Sequence, residues 1–173
     1  ERFVGIDRRR RLPAFAGQTF STWFEKRKYR KEGEKGTVVL FNDTFVEYNE
    51  PQIGMAATII LERAGFNVVL AGGRACCGRP LISKGFLRQA TANAQKNVDV
   101  LVPYVERGWP IIGLEPSCIL SFRDDYLDLL EDPRAKQVGN QVYMLEEFLV
   151  KLERENRKAH KRCRYCCKIT ETP

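Results

Sequence analysis

This sequence has almost no histidine: His160 is the only one among 173 residues, and it lies in a basic stretch near the C-terminus. Histidine-based acid–base catalysis therefore has no candidate in the body of the chain. No apolar run reaches the roughly 18 residues that a membrane span requires. The start, Glu1-Arg2-Phe3-Val4-Gly5-Ile6-Asp7, lacks the charged-then-apolar order of a secretory signal peptide. It also lacks an initiator methionine, which points to a fragment or a processed product. No nucleic-acid-binding motif is present, and no paired C-x-x-C knuckles of the zinc type occur before the C-terminal tail.

The formal charge is +7, from 29 Lys and Arg against 22 Asp and Glu. Much of it is gathered in three runs, Arg8 to Arg11, Lys26 to Lys31 and Arg154 to Lys168. The plain reading is solvated tails and a helix surface. The sharper one is an acidic partner, nucleic acid or an anionic membrane. The middle of the chain is close to balanced, so the plain reading is taken and no nucleic-acid partner is expected. The expected location is the cytoplasm, with peripheral association at the inner face of the membrane left open.

Six cysteines are present: Cys76, Cys77, Cys118, Cys163, Cys166 and Cys167. A secreted disulfide scaffold is usually shorter and denser in cysteine. Clustering of this kind suits metal or redox chemistry in a reducing compartment.

Residues 1–36 read as a lead-in and linker with one amphipathic helix, Gln18 to Tyr29, carrying Phe20, Trp23 and Phe24 on one side. Residues 37–157 carry an α/β pattern, and residues 158–173 form a basic, Cys-rich tail expected to be disordered. The continuous run Thr37-Val38-Val39-Leu40-Phe41 predicts a buried strand. Glu50-Pro51 opens a helix, with Ile53, Ala56, Ala57, Ile60, Leu61 and Ala64 at helical spacing. Phe66 to Ala71 predicts a second strand. Ser83 or Lys84 starts a long helix that ends at Gly108, with Pro103 as a possible kink. Pro110 to Leu114 predicts a third strand, Ile119 to Leu130 a helix, and Tyr143 to Arg157 a last helix. The fold class expected is α/β: a three-layer, Rossmann-like parallel sheet with flanking helices and right-handed crossovers.

In such a sheet the carboxyl ends of the strands share one edge. Three loops should meet there: Asp43-Thr44, Cys76-Cys77 with Gly78, and Pro116-Ser117-Cys118. Adjacent cysteines diverge on a strand or a helix, whereas in a turn both sulfurs can face one object. Gly78 allows positive φ at that turn. Cys118 is expected at a helix N-terminus, where the dipole and free N–H groups stabilise a thiolate or an anionic cluster. Three thiols on one edge suit a soft metal or an iron–sulfur cluster. A zinc or thiol-redox site is the competitor, and small buried cysteines without chemistry are the plain alternative. Asp43 is a carboxylate ligand or base, or more simply the cap of a turn or helix.

The stretches Cys76-Cys77-Gly78-Arg79-Pro80-Leu81-Ile82-Ser83-Lys84-Gly85, Gly113-Leu114-Glu115-Pro116-Ser117-Cys118 and Asn49-Glu50-Pro51-Gln52-Ile53-Gly54 resemble the cysteine-rich CCG domain of iron–sulfur oxidoreductases. That domain occurs in heterodisulfide reductase and in the iron–sulfur subunits of glycolate oxidase and anaerobic glycerol-3-phosphate dehydrogenase. It also occurs at the C-terminal end of FAD-linked D-lactate or D-2-hydroxyacid dehydrogenases, which this chain resembles most, from about Leu12 to Phe148. The resemblance implies that Cys76 and Cys77 match the central pair and Cys118 one of the final cysteines. Thr44 falls where the first family cysteine stands, and Ser121 where a second final cysteine stands. Only one CCG repeat is recognisable. The resemblance further implies a 4Fe-4S-type iron–sulfur cluster on Cys76, Cys77 and Cys118. The implied role is to pass electrons from a flavin domain that oxidises lactate, glycolate or another 2-hydroxy acid. FAD would then belong to a partner or a missing domain, and a flavoprotein and a second CCG repeat are the implied partners. The alternatives are a cluster-less assembly module docking on a flavoprotein, and a thiol or zinc site.

Overall fold

The computed structural model describes residues 13–27 and 33–167, with side chains through residue 157. Four parallel strands form one sheet in the order β2-β1-β3-β4, with β1 Thr37–Phe41, β2 Asn67–Leu70, β3 Ile111–Gly113 and β4 Val142–Met144. Pairing is in register at Val38↔Val68, Leu40↔Ile112 and Ile112↔Tyr143. The sheet is the reason the strand residues read as continuous apolar runs, because both faces are covered.

Alternation along β1 divides the core into two layers. Val38 and Leu40 face a cluster with Phe20, Phe24, Leu61, Phe66 and Phe148. Val39 and Phe41 face a second cluster with Val98, Leu101, Ile119, Phe122 and Tyr126. The first layer is covered by α1 (Phe20–Lys26), α3 (Pro51–Arg63) and α9 (Leu145–Cys167); the second by α5 (Leu87–Glu106), α7 (Asp125–Leu129) and α8 (Pro133–Gly139). This is the expected three-layer α/β fold. Helix α1 starts where the Thr19 hydroxyl oxygen accepts the Thr22 N–H at 3.2 Å, and it buries Phe20 and Phe24. The expected helix from Gln18 to Tyr29 is shorter: Thr19 caps it and Arg27 is extended at φ −62° and ψ 130°, so it ends at Lys26, and positions 28 and 29 lie outside the described residues.

Other local features also differ from the sequence reading. A short helix, α2 (Thr44–Tyr48), follows β1 directly, capped by Asp43. The long helix after the cysteine pair is two helices, α4 (Arg79–Ser83) and α5, because Lys84 leaves helical geometry and Gly85 takes φ of 77°. Helix α5 then runs through Pro103 without ending there. The expected helix from Ile119 to Leu130 is broken into α6 (Pro116–Ile119), a 3-10 turn (Leu120–Phe122) and α7. The break comes at Arg123-Asp124: Arg123 reaches to the Val142 carbonyl and the Glu147 carboxylate, and Asp124 leaves helical geometry at φ −121° and ψ −85°. Strand β4 (Val142–Met144) takes Tyr143 and Met144, which the sequence reading placed at the start of the last helix; that helix begins at Leu145. Helix α9 continues to Cys167, beyond the expected end at Arg157. Cys163, Cys166 and Cys167 lie outside the described side chains.

The start of α9 is fixed by Glu147. Its carboxylate accepts the Met144 N–H at 3.0 Å and two Arg123 N–H groups. Hydrogen bonding from Arg123 holds this carboxyl below its ordinary 4.5. The stability it contributes is therefore present above about pH 4.5 and is lost as pH falls through the lower folded-state value. Thermal unfolding followed from pH 6 down to about pH 3 should show a steeper loss of midpoint for the native chain than for Glu147→Gln. The group is partly exposed, so the difference should amount to only a few tenths of a kcal/mol.

Candidate functional site

Strand β1 lies between β2 and β3, with the β1–β2 crossover on one face and the β2–β3 crossover on the other. An open α/β sheet places its ligand site at such a reversal, outside the carboxyl ends of the strands. The loops after β1, β2 and β3 meet there and carry Asp43, Cys76-Cys77 and Glu115 to Cys118.

The cysteine turn is held from below by two buried side chains. Asn97 of α5 accepts the Ala75 N–H at 2.7 Å and donates to the Cys76 carbonyl at 3.3 Å and to the Tyr126 hydroxyl oxygen at 2.9 Å. The Tyr126 hydroxyl donates to the Cys77 carbonyl at 2.9 Å. Both side chains are fully buried, and each finds its partners within the protein. Burial also pushes the Tyr126 hydroxyl's pKa up, which keeps it a donor. Sequence reasoning missed both residues. The available signal was an amide in the apolar stripe Ala90, Ala94, Val98, Leu101 of α5.

A second network, part-buried, ties the end of β1 to the loop before the cysteines. The Arg74 Nε donates to Asn42 Oδ1 at 3.0 Å, and Asn42 Nδ2 donates to Glu47 at 2.6 Å. Ser21 donates its hydroxyl and its N–H to the same Glu47 carboxylate, at 2.5 and 3.2 Å. The Arg74 guanidinium also lies over the Phe41 ring, 5.0 Å from its centroid.

Gly78 stands between Cys77 and α4 at φ 87°. A Cβ there would make only ordinary contact, 3.7 Å from the Ala90 backbone, so the requirement is conformational and not steric. Gly78→Ala should cost about 1–2 kcal/mol through the left-handed backbone. Chemical denaturation would check this: a loss well under 0.5 kcal/mol would mean that the turn relaxes to another geometry.

Cys77 and Cys118 are buried and Cys76 is exposed, and all three are free thiols. Hydrogen bonding from the Cys118 thiol brings the Cys77 thiol down to about 7, against the opposing effect of burial; the Arg79 N–H at the start of α4 and the Cys76 side chain add to it. Cys118 is pushed strongly up, by the same hydrogen bond, by burial and by the neighbouring Cys77 charge. The pair thus holds one negative charge readily, centred on Cys77, and resists a second. The expectation that Cys118 gains its thiolate from a helix N-terminus is overturned. Helix α6 has four residues, and the Cys118 N–H is spent on the Glu115 carbonyl at 3.1 Å.

Asp43 caps α2: its Oδ1 accepts the Phe45 and Val46 N–H groups at 2.8 and 3.1 Å. Its Oδ2 is buried with no hydrogen-bond partner. Burial pushes this carboxyl up, and the Glu115 charge adds to it. Thr44, at the first position of α2, is exposed. Ser117 donates its hydroxyl to Glu115 Oε1 at 2.7 Å and does not join the thiols. Ser121 is buried and donates to the Ser117 carbonyl at 2.9 Å. Among the described residues, no three His, Cys, Asp or Glu side chains stand in an arrangement that encloses a metal ion. For an iron–sulfur group, which takes four thiolates, the donors are right in kind and one short in number.

The fold and site define an α/β domain that presents cysteine thiols at a sheet edge. Residues 39–123 match the cysteine-rich domain family CCG, and the chain carries a domain of that family. It is 35% identical over 126 residues to a subunit of anaerobic glycerol-3-phosphate dehydrogenase from Escherichia coli strain K12, covering 72% of this chain and 32% of that protein. It is 27% identical over 120 residues to lactate utilization protein A of Macrococcus caseolyticus, covering 66% of this chain and 47% of that protein. It is 30% identical over 105 residues to D-2-hydroxyglutarate dehydrogenase of Escherichia coli, covering 61% of this chain and 10% of that protein. The chain thus spans a third to a half of the first two and a tenth of the third. No solved structure matches it. No helix among the described residues is long and apolar enough to cross a membrane.

Proposed function

We propose that this chain is the iron–sulfur-binding electron-transfer module of a larger FAD-linked dehydrogenase that acts on a 2-hydroxy acid of the lactate or glycolate type. The observation that carries this reading is the gathering of Cys77 and Cys118, with exposed Cys76 beside them, at the carboxyl edge of a CCG domain. The names of its relatives add support: two are dehydrogenases, one of them a subunit, and the third serves lactate utilization. Cys76, Cys77 and Cys118 would hold the group, and the fourth ligand would come from outside this chain. When bound, such a cluster supplies one-electron chemistry. The flavin that oxidises the substrate would sit in a partner or another domain of the complex.

The chain's own residues hold the site in readiness. Asn97 and Tyr126 fix the carbonyls of Cys76 and Cys77, so both sulfurs stay at the turn. Burial of Cys77 and Cys118 keeps water from two of the three donors. Anaerobic titration of the iron-loaded protein with dithionite tests the role. Reversible bleaching of the visible absorbance is expected. Absorbance that ignores the reductant, or bleaching accompanied by loss of iron, would contradict electron transfer.

One observation favours a second reading, a cluster-less assembly module. Thr44 and Ser121 stand at two family cysteine positions, and the Ser121 hydroxyl is already engaged by the Ser117 carbonyl. Under that reading the protein folds without metal, takes up no iron and still docks on its flavoprotein.

A further inference from the structure

Helix α4 follows the cysteine turn directly and buries none of its side chains. From Ser83 to Gln89 every residue is exposed, and Phe86 and Leu87 are each 52% exposed. The segment is nevertheless firmly built. It turns at Gly78 and Gly85, both at positive φ. The Gly85 N–H donates to the Ile82 carbonyl at 3.0 Å and the Phe86 N–H to the Leu81 carbonyl at 2.9 Å, which folds Phe86 back beside α4. The Arg79 guanidinium ties the start of α4 to the Asp125 carboxylate of α7, at 2.8 and 2.7 Å. Leu81, Ile82, Phe86 and Leu87 thus make one ordered apolar corner, and none of them belongs to either core layer.

Phe86 also breaks a local rule. It holds the N-cap position of α5, where a side-chain oxygen is preferred, and it makes no capping bond. A large apolar residue that weakens its own helix and half faces water is explained by what it meets outside the chain. The charge around the corner has one sign. Residues 63–98 hold no Asp or Glu. Arg79 is matched by Asp125, but the exposed Lys84 and Arg88 take part in no ion pair among the described residues.

We propose that this corner seats a partner protein whose surface is apolar at its centre and carries Asp or Glu at its rim. Phe86 and Leu87 anchor the centre, and Lys84 and Arg88 meet the rim and steer the approach. The corner joins the thiols through Gly78, and the Arg79 N–H bonds the Cys77 thiol, so a partner seated here stands beside the exposed Cys76. The inference goes beyond the electron-transfer reading and does not depend on iron, because an assembly module would need such a seat equally.

The test uses the full chain without iron and two peptide probes, acetyl-Glu-Leu-Leu-Glu-Glu-Leu-Leu-Glu-Glu-Leu-amide and the same peptide with Lys in place of every Glu. Backbone amide NMR follows binding, and the rate of Cys76 alkylation by neutral iodoacetamide reports on the neighbouring turn. The acidic peptide should bind saturably, shift the amides of Leu81, Phe86 and Leu87, and slow the alkylation several-fold. The lysine peptide should bind about tenfold more weakly. Phe86→Ser supplies a capping hydroxyl to α5, so it should keep its thermal midpoint while binding falls several-fold. Lys84→Glu should weaken the acidic peptide and favour the lysine peptide. The proposal is overturned if the acidic peptide does not saturate, shifts amides elsewhere or leaves the alkylation unchanged, or if the two peptides bind equally well. It is also overturned if Phe86→Ser binds as the native chain does, or loses several degrees of midpoint, which would assign Phe86 to the fold. Concentration-dependent shifts of the same amides without peptide would assign the corner to a second copy of this chain and overturn it too. None of these results bears on iron uptake, so failure here is distinguishable from failure of the iron–sulfur reading.

Discussion

Asn97→Ala is expected to destabilise the domain by roughly 2–4 kcal/mol and to loosen the Cys76-Cys77 turn. The alanine would leave the part-buried Ala75 N–H and Cys76 carbonyl and the buried Tyr126 hydroxyl oxygen without their shared partner. Each buried group left unsatisfied costs on the order of 1–3 kcal/mol, and relaxation of the turn recovers part of this. Urea unfolding gives the stability change, and hydrogen exchange at the Ala75 amide locates it. Exchange at Ala75 should rise more than at β1, which is anchored in both core layers. A loss under about 0.5 kcal/mol with unchanged exchange would mean that the turn is held by something other than this amide.

Gly113→Ala should have a comparable effect by a different route. Gly113 ends β3, and a Cβ there would fall inside the Ile119 side chain. Ile119 is fully buried in the core layer that also holds Phe122 and Tyr126. It cannot swing aside without moving α6, which carries Cys118. Overpacking of this kind costs about 1–3 kcal/mol and sometimes more. The expected signs are a thermal midpoint lowered by several degrees and faster alkylation of Cys118, which is 9% exposed in the native fold. Native stability with unchanged alkylation would show that the strand and α6 can separate at little cost.

The edge where the site sits was legible in the sequence because its signals are short-range. Thr37 to Phe41 announces a strand by an unbroken run of β-branched and apolar residues, and the strand is found at those residues. A cysteine pair followed by glycine needs a turn, and Gly78 takes the positive φ that the turn requires. The features that were not legible depend on contacts made only after folding. Strand β4 is three residues long and exists because β3 offers it an edge. The break before α7 falls at Asp124, just after Arg123 commits its side chain to Val142 and Glu147. The relation between Cys77 and Cys118 turns on which thiol receives a hydrogen bond and a backbone N–H, and spacing does not encode that. Asn97 lies in between. An amide within an apolar helical stripe was visible, but its partners, Ala75 and Cys76 some twenty residues earlier and Tyr126 nearly thirty later, were not.

The central claim is that Cys76, Cys77 and Cys118 form one thiol site for an iron–sulfur group. The most direct measurement is iron and acid-labile sulfide content, with the visible spectrum, after anaerobic reconstitution with ferrous iron, sulfide and a small thiol to fill the fourth position. Near-stoichiometric iron and sulfide with a broad visible band, lost in both Cys77→Ser and Cys118→Ser, is the result expected. A folded protein that stays colourless and binds no iron, or one whose iron survives both substitutions, would contradict the claim.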